Sequence, residues 1–207
     1  MTSDLIITQV QTNVNRSDIT RPQILQWLNN RLGQICDYDD FSFMENTDLA
    51  STIASQRDYT LPLDYKSELH IYLKDGDIKV FLDKWVGTEA ENAFSNQTVE
   101  AKPYAYWIWQ DAYFFYPIPD KIYTMELKYY RYLPDFTDVA LEENEIGKRW
   151  VDLIVDGATS DAYHFLMQSD KTVEWEMKWK NEFQKLIRRQ GKRKWTNYNP
   201  RVKLRTK

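Results

Sequence analysis

Residues 104–130 read YAYWIWQDAYFFYPIPDKIYTMELKYY and determine the fold class of the middle of the chain. In residues 123–130, apolar and more polar residues alternate. The apolar residues are Tyr123, Met125, Leu127 and Tyr129. A period of two predicts a β-strand with one buried face. Two aromatic runs precede it, 104–109 and 112–116, and the Gln110-Asp111 pair between them predicts a hairpin. The middle of the chain is therefore predicted to be an antiparallel sheet.

The sheet is predicted to extend upstream to about residue 52, which gives a β region of about 52–132. Segments 68–73 and 78–85 flank Lys74-Asp75-Gly76-Asp77, whose Asp-Gly pair is a strong hairpin signal. Pro62 closes a short strand around Tyr59 and must lie at an edge or an end, since proline has no N–H to donate. Residues 87–102 are polar without a pattern, so we predict a loop that can reach a neighbouring subunit.

Helices are predicted on the N-terminal side of the sheet, at about 3–13 and 21–37. Thr20 and Gln23 have the spacing of a capping box at the start of the second helix. Apolar residues then recur three and four apart along it, at Ile24, Leu25, Leu28, Leu32 and Ile35. This spacing predicts one helical face turned towards a core.

Two more helices are predicted after an acidic loop at 134–145, at about 146–168 and 170–190. Gly157 and Ala158 in the first are small enough to allow close helix packing. The second is predicted to begin at Asp170 and to end at Gly191. It carries an apolar stripe of Trp175, Trp179, Phe183 and Leu186. We therefore expect an α+β fold, with a helical bundle built from both ends of the chain, an inserted antiparallel β region and an extended C-terminal arm. The body would be 1–191 and the arm 192–207.

Charge is distributed unevenly along the 207 residues. Ten basic side chains and no acidic one lie between Lys185 and Lys207. The rest of the chain then holds 17 of the 27 basic residues and all 31 acidic ones, a net of −14 against +10. A basic segment on an acidic body indicates an anionic partner, either nucleic acid or an acidic protein surface.

Enzymatic chemistry has little support in the sequence. The two histidines, His70 and His164, belong to no metal-binding motif, and no nucleophile or phosphate-loop motif is present. Acidic residues cluster only in polar segments, at Asp39-Asp40, Glu142-Glu143 and Glu145. The single cysteine, Cys36, is expected to be a buried apolar residue. We therefore predict no catalytic residue, no metal and no cofactor.

No membrane span or signal peptide is evident in the sequence, so we expect a protein that stays in the cytoplasm where it is made.

The aromatic hairpin favours a protein interface. Aromatic residues on both faces of a hairpin are typical of one face in the core and the other on a partner. We predict a subunit interface at Trp107, Trp109, Tyr113 and Phe115. Stacking of sugars or unpaired bases is an alternative, although no basic residue lies between 104 and 116.

Several motifs occur in an order that resembles the head-to-tail adaptor (connector) proteins of tailed bacteriophages. They are Thr20-x-x-Gln23-Ile24-Leu25-x-Trp27-Leu28-Asn29, Tyr59-x-Leu61-Pro62-x-Asp64, Tyr113-x-x-Tyr116-Pro117-x-Pro119-Asp120-x-x-Tyr123 and Leu127-x-Tyr129-Tyr130. The resemblance implies a virion protein at the head-tail junction, made in the host cytoplasm. It also implies a homo-oligomeric ring, commonly of twelve copies, which binds the portal protein and links it to tail or nozzle proteins.

On this hypothesis the genome DNA passes through the ring without sequence-specific contact, and the C-terminal arm binds the portal. Candidate portal-binding or partner-binding residues are Lys192, Arg193, Lys194, Trp195, Tyr198, Arg201, Lys203 and Arg205. The alternative is a nucleic-acid-binding protein that uses the basic arm on phosphates.

Overall fold

The computed structural model describes residues 2–95, 99–139 and 144–197. Within them the helices are α1 Ser3–Val14, α2 Arg21–Tyr38, α3 Thr88–Ser95, α4 Glu145–Arg149, α5 Val151–Phe165 and α6 Ser169–Asn197. The strands are β1 Glu45–Ser51, β2 Asp58–Thr60, β3 Tyr65–Asp75, β4 Ile78–Phe81, β5 Asp83–Lys84, β6 Ala105–Trp109, β7 Ala112–Tyr116 and β8 Thr124–Arg131. The predicted α+β class is therefore confirmed.

The chain forms two compact units. Residues 1–43 and 133–207 belong to the first and residues 44–132 to the second. Helices from both ends of the chain thus pack in one unit, where α5 contacts α1, α2 and α6. The strands and α3 lie in the other unit.

The start of α2 has the capping geometry that the sequence predicts. The side-chain oxygen Oε1 of Gln23 accepts a hydrogen bond from the backbone N–H of Thr20 at 2.8 Å. In return, the Thr20 side chain accepts a hydrogen bond from the backbone N–H of Gln23. Ile19 and Ile24 on either side of this cap are both buried. The capping box provides acceptors for two backbone N–H groups at the start of the helix.

The single helix predicted over 146–168 is wrong, because the structure divides it at Trp150. The backbone of Trp150, with φ −126° and ψ 39°, is not helical, and it separates α4 from α5. Asn144 caps α4 by accepting the Ile146 N–H at 3.1 Å. Helix α5 ends at Phe165, and Met167 after it adopts the left-handed conformation with φ 55°.

Gly191 does not end the last helix, so that prediction is also wrong. Helix α6 begins at Ser169 rather than at Asp170 and continues to Asn197, a length of 29 residues. An interior glycine costs about 1 kcal/mol relative to alanine. The residues after it form helices readily enough to carry the helix through this position. The six residues predicted to begin an extended arm, 192–197, are therefore helical.

A salt-bridge network joins α2, α5 and α6 in the interior of the first unit. The Arg31 side chain is buried, and its guanidinium bonds the Asp161 carboxylate through two nitrogens, at 2.6 and 2.8 Å. It also bonds Glu176 at 2.9 Å and lies 4.6 Å from the centre of the Trp179 ring. The close packing predicted at Gly157 is confirmed, because a methyl group there would lie 2.9 Å from Trp179 and 3.0 Å from Arg31.

The second unit contains two four-stranded sheets with the strand orders β1-β8-β3-β4 and β2-β7-β6-β5. Both predicted hairpins are present, as the antiparallel pairs β3/β4 and β6/β7. The alternation predicted for β8 is confirmed, since Met125, Leu127 and Tyr129, together with Tyr123 just before the strand, are all buried. They pack with Tyr59, Ile71 and Phe115 in one core shared by the two sheets.

Two parts of the second unit differ from expectation. The polar segment Glu45–Ser51 forms an edge strand paired with β8, so the sheet begins before residue 52. The predicted loop at 87–102 contains the helix α3, while residues 96–98 lie outside the described residues. Residue Glu100 makes a parallel bridge to Ile118.

Candidate interaction surfaces

The predicted partner-binding arm is described only at its beginning. Lys192, Arg193, Lys194 and Trp195 lie on the last turns of α6, whose backbone alone is described there. Four further candidates, Tyr198, Arg201, Lys203 and Arg205, lie outside the described residues. Their role in binding stays a prediction.

The described part of α6 already carries positive charge towards its C-terminal end. Lys185, Arg188 and Arg189 are exposed, and Lys185 pairs with Glu182. Arg189 also borders a cleft of about 330 Å³ beside α4. The residues that line the cleft are Ser42, Phe43, Glu145, Lys148, Arg149, Trp150, Leu186, Arg189 and Gln190.

The structure separates the four predicted interface residues by strand face. Tyr113 and Phe115 point into the shared core and are 2% and 0% exposed, so they are corrected from interface to core residues. Trp107 lies on the opposite face, yet it is also buried and stacks on Phe114 at 5.4 Å. Trp109 is 64% exposed and is available to a partner. The sequence alone could not assign the faces, because both faces of this hairpin are aromatic.

An aromatic cluster covers the same outer face of β6 and β7. The rings of Trp85, Tyr104 and Tyr116 lie 5.2 to 5.8 Å from one another. Tyr104 is half exposed. A pocket of about 680 Å³ opens next to the cluster, and Trp85, Trp107 and Trp109 line it together with Gly87 and Ala90. Trp85, Tyr104, Trp109 and Tyr116 are called the aromatic face below.

The outer face of the other sheet contains a set of lysines around one buried carboxylate. Glu126 is 8% exposed and lies 3.1 to 3.7 Å from the ammonium groups of Lys79, Lys74 and Lys128. Hydrogen bonds from Lys79 and then Lys74 lower the pKa of Glu126, so the carboxylate stays charged at neutral pH. Lys79 also lies 3.9 Å above the Tyr72 ring. The three lysines leave a local excess of positive charge.

The groups considered for catalysis are dispersed over the chain. His70 contacts the rings of Tyr72 and Phe81, and His164 is exposed at the end of α5. Cys36 is buried, as predicted. Glu142 and Glu143 lie outside the described residues. Within 2–95, 99–139 and 144–197, no group of three His, Cys, Asp or Glu side chains could hold a metal ion. None of the helices in the same ranges is long and apolar enough to cross a membrane.

Several residues of these surfaces were not predicted. The helix is interrupted between α4 and α5, and only this interruption makes Arg189 a neighbour of Lys148, Arg149 and Trp150. A local signal for this break existed in Asn144 and Glu145, which favour the start of a helix, but nothing marked Trp150 as its end. Trp85 joins the hairpin aromatics through the parallel pairing of β5 with β6, which is a long-range contact.

Comparison with known proteins gives one family. A family model described as SU10 adaptor protein matches residues 1–204. No curated protein matches the chain. The family match confirms the resemblance to the head-to-tail adaptors of tailed phages that the ordered motifs indicate.

Proposed function

Because the chain belongs to the SU10 adaptor protein family, we propose that it is a ring subunit that binds the portal and links it to the tail. The single observation that carries this proposal is the family match over 1–204. The protein is proposed to be a structural part of the virion rather than an enzyme. Twelve copies is the expected number, as the resemblance implies.

Self-association is proposed to use the aromatic face. Trp109 and Tyr104 expose 64% and 49% of their surface, and tryptophan and tyrosine are enriched in the buried centres of protein interfaces. Unlike the core residues of the same hairpin, these rings can become buried without unfolding the unit. Tail or nozzle proteins are the other candidates for this face.

Portal attachment is proposed to use the basic C-terminal segment, 192–207. The excess of ten basic residues from Lys185 onward suits an acidic protein surface, because opposite charges accelerate the encounter. The helix α6 carries the start of this segment, and about 1.5 Å per residue gives the helix a length of roughly 44 Å. The genome DNA would pass through the ring without base-specific contacts.

Negative-stain electron microscopy of the purified chain mixed with the portal of the same phage tests this function. We expect rings or portal-bound rings in the mixture. Separate particles in every mixture, together with absence of the protein from purified virions, would refute the proposal.

Removal of 192–207 is expected to weaken portal attachment and to leave the ring contacts of the body intact.

A second candidate function, DNA binding by the basic segment, is favoured by the charge of +7 that residues 192–207 carry. Each phosphate neutralised on duplex DNA would add about 0.9 to the slope of log affinity against log salt. A salt titration with duplex DNA therefore separates the two functions. A steep slope that disappears with 192–207 supports DNA binding, whereas a flat response removes it.

A further inference from the structure

We propose that the cleft between α4 and α6 binds an acidic peptide segment that carries an apolar side chain, supplied by the partner of the basic C-terminal segment. The source of the peptide rests on the proposed function, which makes that partner the portal. The chemistry of the cleft rests on its own residues. This site lies in the folded body and is distinct from the arm predicted from sequence.

The cleft has a built apolar floor. Phe43, Trp150 and Leu186 line it, and its volume of about 330 Å³ lies at the lower end of the usual range for ligand pockets. Phe43 is held by stacking on Phe41, with ring centres 5.2 Å apart and planes 8° from parallel. Leu186 is 3% exposed and belongs to the core side of α6. A floor of this size suits one or two apolar side chains.

A hydrogen bond fixes the distance between two walls of the cleft. The buried side chain of Gln190 on α6 donates from Nε2 to the backbone oxygen of Asp40 at 3.1 Å. This bond joins α6 to the segment that carries Phe43. The cleft is therefore formed by packed elements on both sides and does not depend on one surface rotamer.

The rim of the cleft is positively charged. Lys148 and Arg149 occupy the last turn of α4, and Arg189 on α6 lies with its guanidinium 5.8 Å from the centre of the Trp150 ring. Together with Glu145, these side chains place three cations and one carboxylate around the apolar floor. All three cations are exposed, so they can reach carboxylates of a bound peptide while its apolar side chain enters the cleft.

The surroundings of the cleft favour a protein partner over nucleic acid. A concave site with an apolar floor fits a side chain, whereas a duplex presents a convex row of phosphates. Single-stranded bases stack on aromatic rings, but the guanidinium of Arg189 already lies near Trp150. Lys185 and Arg188 are also exposed on α6, but they do not line the cleft and add only general positive charge near it.

Fluorescence anisotropy with the full chain tests the site. The probe is a fluorescein-labelled peptide with one Phe between Asp and Glu residues, and its control has Asn and Gln at the acidic positions. Substitution of Arg149→Ala together with Arg189→Ala is expected to weaken binding of the acidic peptide about tenfold or more.

Arg188→Ala is the matched control on the same helix, because Arg188 does not line the cleft. It is expected to change the affinity less than about threefold. Circular dichroism checks that each variant remains folded, as expected for exposed side chains.

Three results would overturn the cleft as a peptide site. Equal losses for Arg188→Ala and for the double variant would show only general attraction to the helix end. Equal binding of the neutral peptide would remove the role of charge. Loss of binding to a single-stranded oligonucleotide in the double variant, without any binding of the acidic peptide, would assign the site to nucleic acid.

The same variants separate this proposal from the proposed function. If the chain binds the acidic peptide through the cleft but never binds the portal, the proposed adaptor function fails and the cleft chemistry stands. If the double variant binds the portal as tightly as the unchanged chain does, the cleft is refuted as a portal contact and the adaptor function stands.

Discussion

The Arg31 guanidinium of α2 and the Asp161 carboxylate of α5 form a two-point salt bridge, with Nη2 2.6 Å from Oδ1 and Nε 2.8 Å from Oδ2. Only 8% of the Arg31 side chain is exposed. Glu176 adds a third bond from α6, so this one cation links three helices that come from opposite ends of the chain.

Replacement of Arg31 by Met is expected to lower the free energy of unfolding by about 3 kcal/mol, because it leaves Asp161 without its counter-charge in a half-buried site and Glu176 with only Lys180, at 3.8 Å. Urea denaturation followed by tryptophan fluorescence measures the change. Arg16→Ala is the matched control, since the Arg16–Asp18 pair is exposed, and it is expected to leave the midpoint unchanged. Equal midpoints for the two variants would refute the role of Arg31.

Gly157→Ala is expected to destabilise the chain by about 1 to 3 kcal/mol despite the better helix propensity of alanine. The added methyl group would lie 2.9 Å from the Trp179 ring and 3.0 Å from the Arg31 side chain, and both are fixed by packing. Gly33→Ala in α2 provides the opposite control, because nothing lies within 4 Å of its new methyl group. It is expected to stabilise the chain by up to about 1 kcal/mol. Thermal unfolding of both variants decides the point, and stabilisation by both would contradict the close packing.

Asp156 is expected to make the chain less stable as the pH rises from about 4 to about 6. Burial, with the charge of Asp152 as the next cause, raises the pKa of Asp156 from its ordinary value of 3.8 to about 6. The folded state then holds a proton that the unfolded state has released, so deprotonation in this pH window favours unfolding. Asp156→Asn is expected to stabilise the chain at pH 7.5 by about 1 kcal/mol, a value reduced for solvent screening because the side chain is half-buried.

Denaturation midpoints between pH 4 and 8 measure this effect. The difference between Asp156→Asn and the unchanged chain should grow from about pH 4 to about pH 6 and level off above that. Asp135→Asn, at an exposed loop position, is the matched control for the loss of one carboxylate. A constant difference for Asp156→Asn from pH 4 to 8 would rule out the titration of this group.

The two faces of the aromatic hairpin are expected to respond differently to mutation. Phe115→Ala should destabilise the second unit by about 3 to 5 kcal/mol, since the ring is fully buried. Trp109→Ser should leave stability nearly unchanged and reduce self-association, because its side chain is exposed. Sedimentation velocity together with thermal unfolding separates the two effects. Unchanged association of Trp109→Ser and of Trp85→Ser would remove the aromatic face from the ring interface.

Local sequence signals predicted much of the secondary structure. The capping box at Thr20 and the Asp75-Gly76 pair act over a few residues, so their effects do not depend on the rest of the fold. The alternation in β8 was equally readable, because one face of that strand is uniformly apolar. These features specify where elements begin and turn.

Features that depend on contacts between distant residues were not predictable in the same way. The polar strand at Glu45–Ser51 forms because β8 offers a free edge, and its own residues carry a weak strand signal. Glu126 is buried because Lys74 and Lys79 come from two other parts of the sheet. Gly191 gave a helix-end signal that the following residues override.

Of the predicted contact residues, Trp109 is the one that the described structure leaves largely exposed, and the cleft cations were missed altogether. Charge composition could indicate an anionic partner. It could not show that α4 and α6 place Lys148 and Arg189 at the same cleft. Contact sites on the body therefore required the structure, whereas the family could be inferred from ordered motifs.

Native mass spectrometry of the portal, with and without this chain, tests the central claim most directly. The adaptor account predicts that the portal complex gains a closed set of subunits, expected to be twelve chains of 24.9 kDa each, with no intermediate numbers at saturation. A chain that remains a 24.9 kDa monomer beside an unchanged portal, at concentrations well above those in an infected cell, would contradict the account.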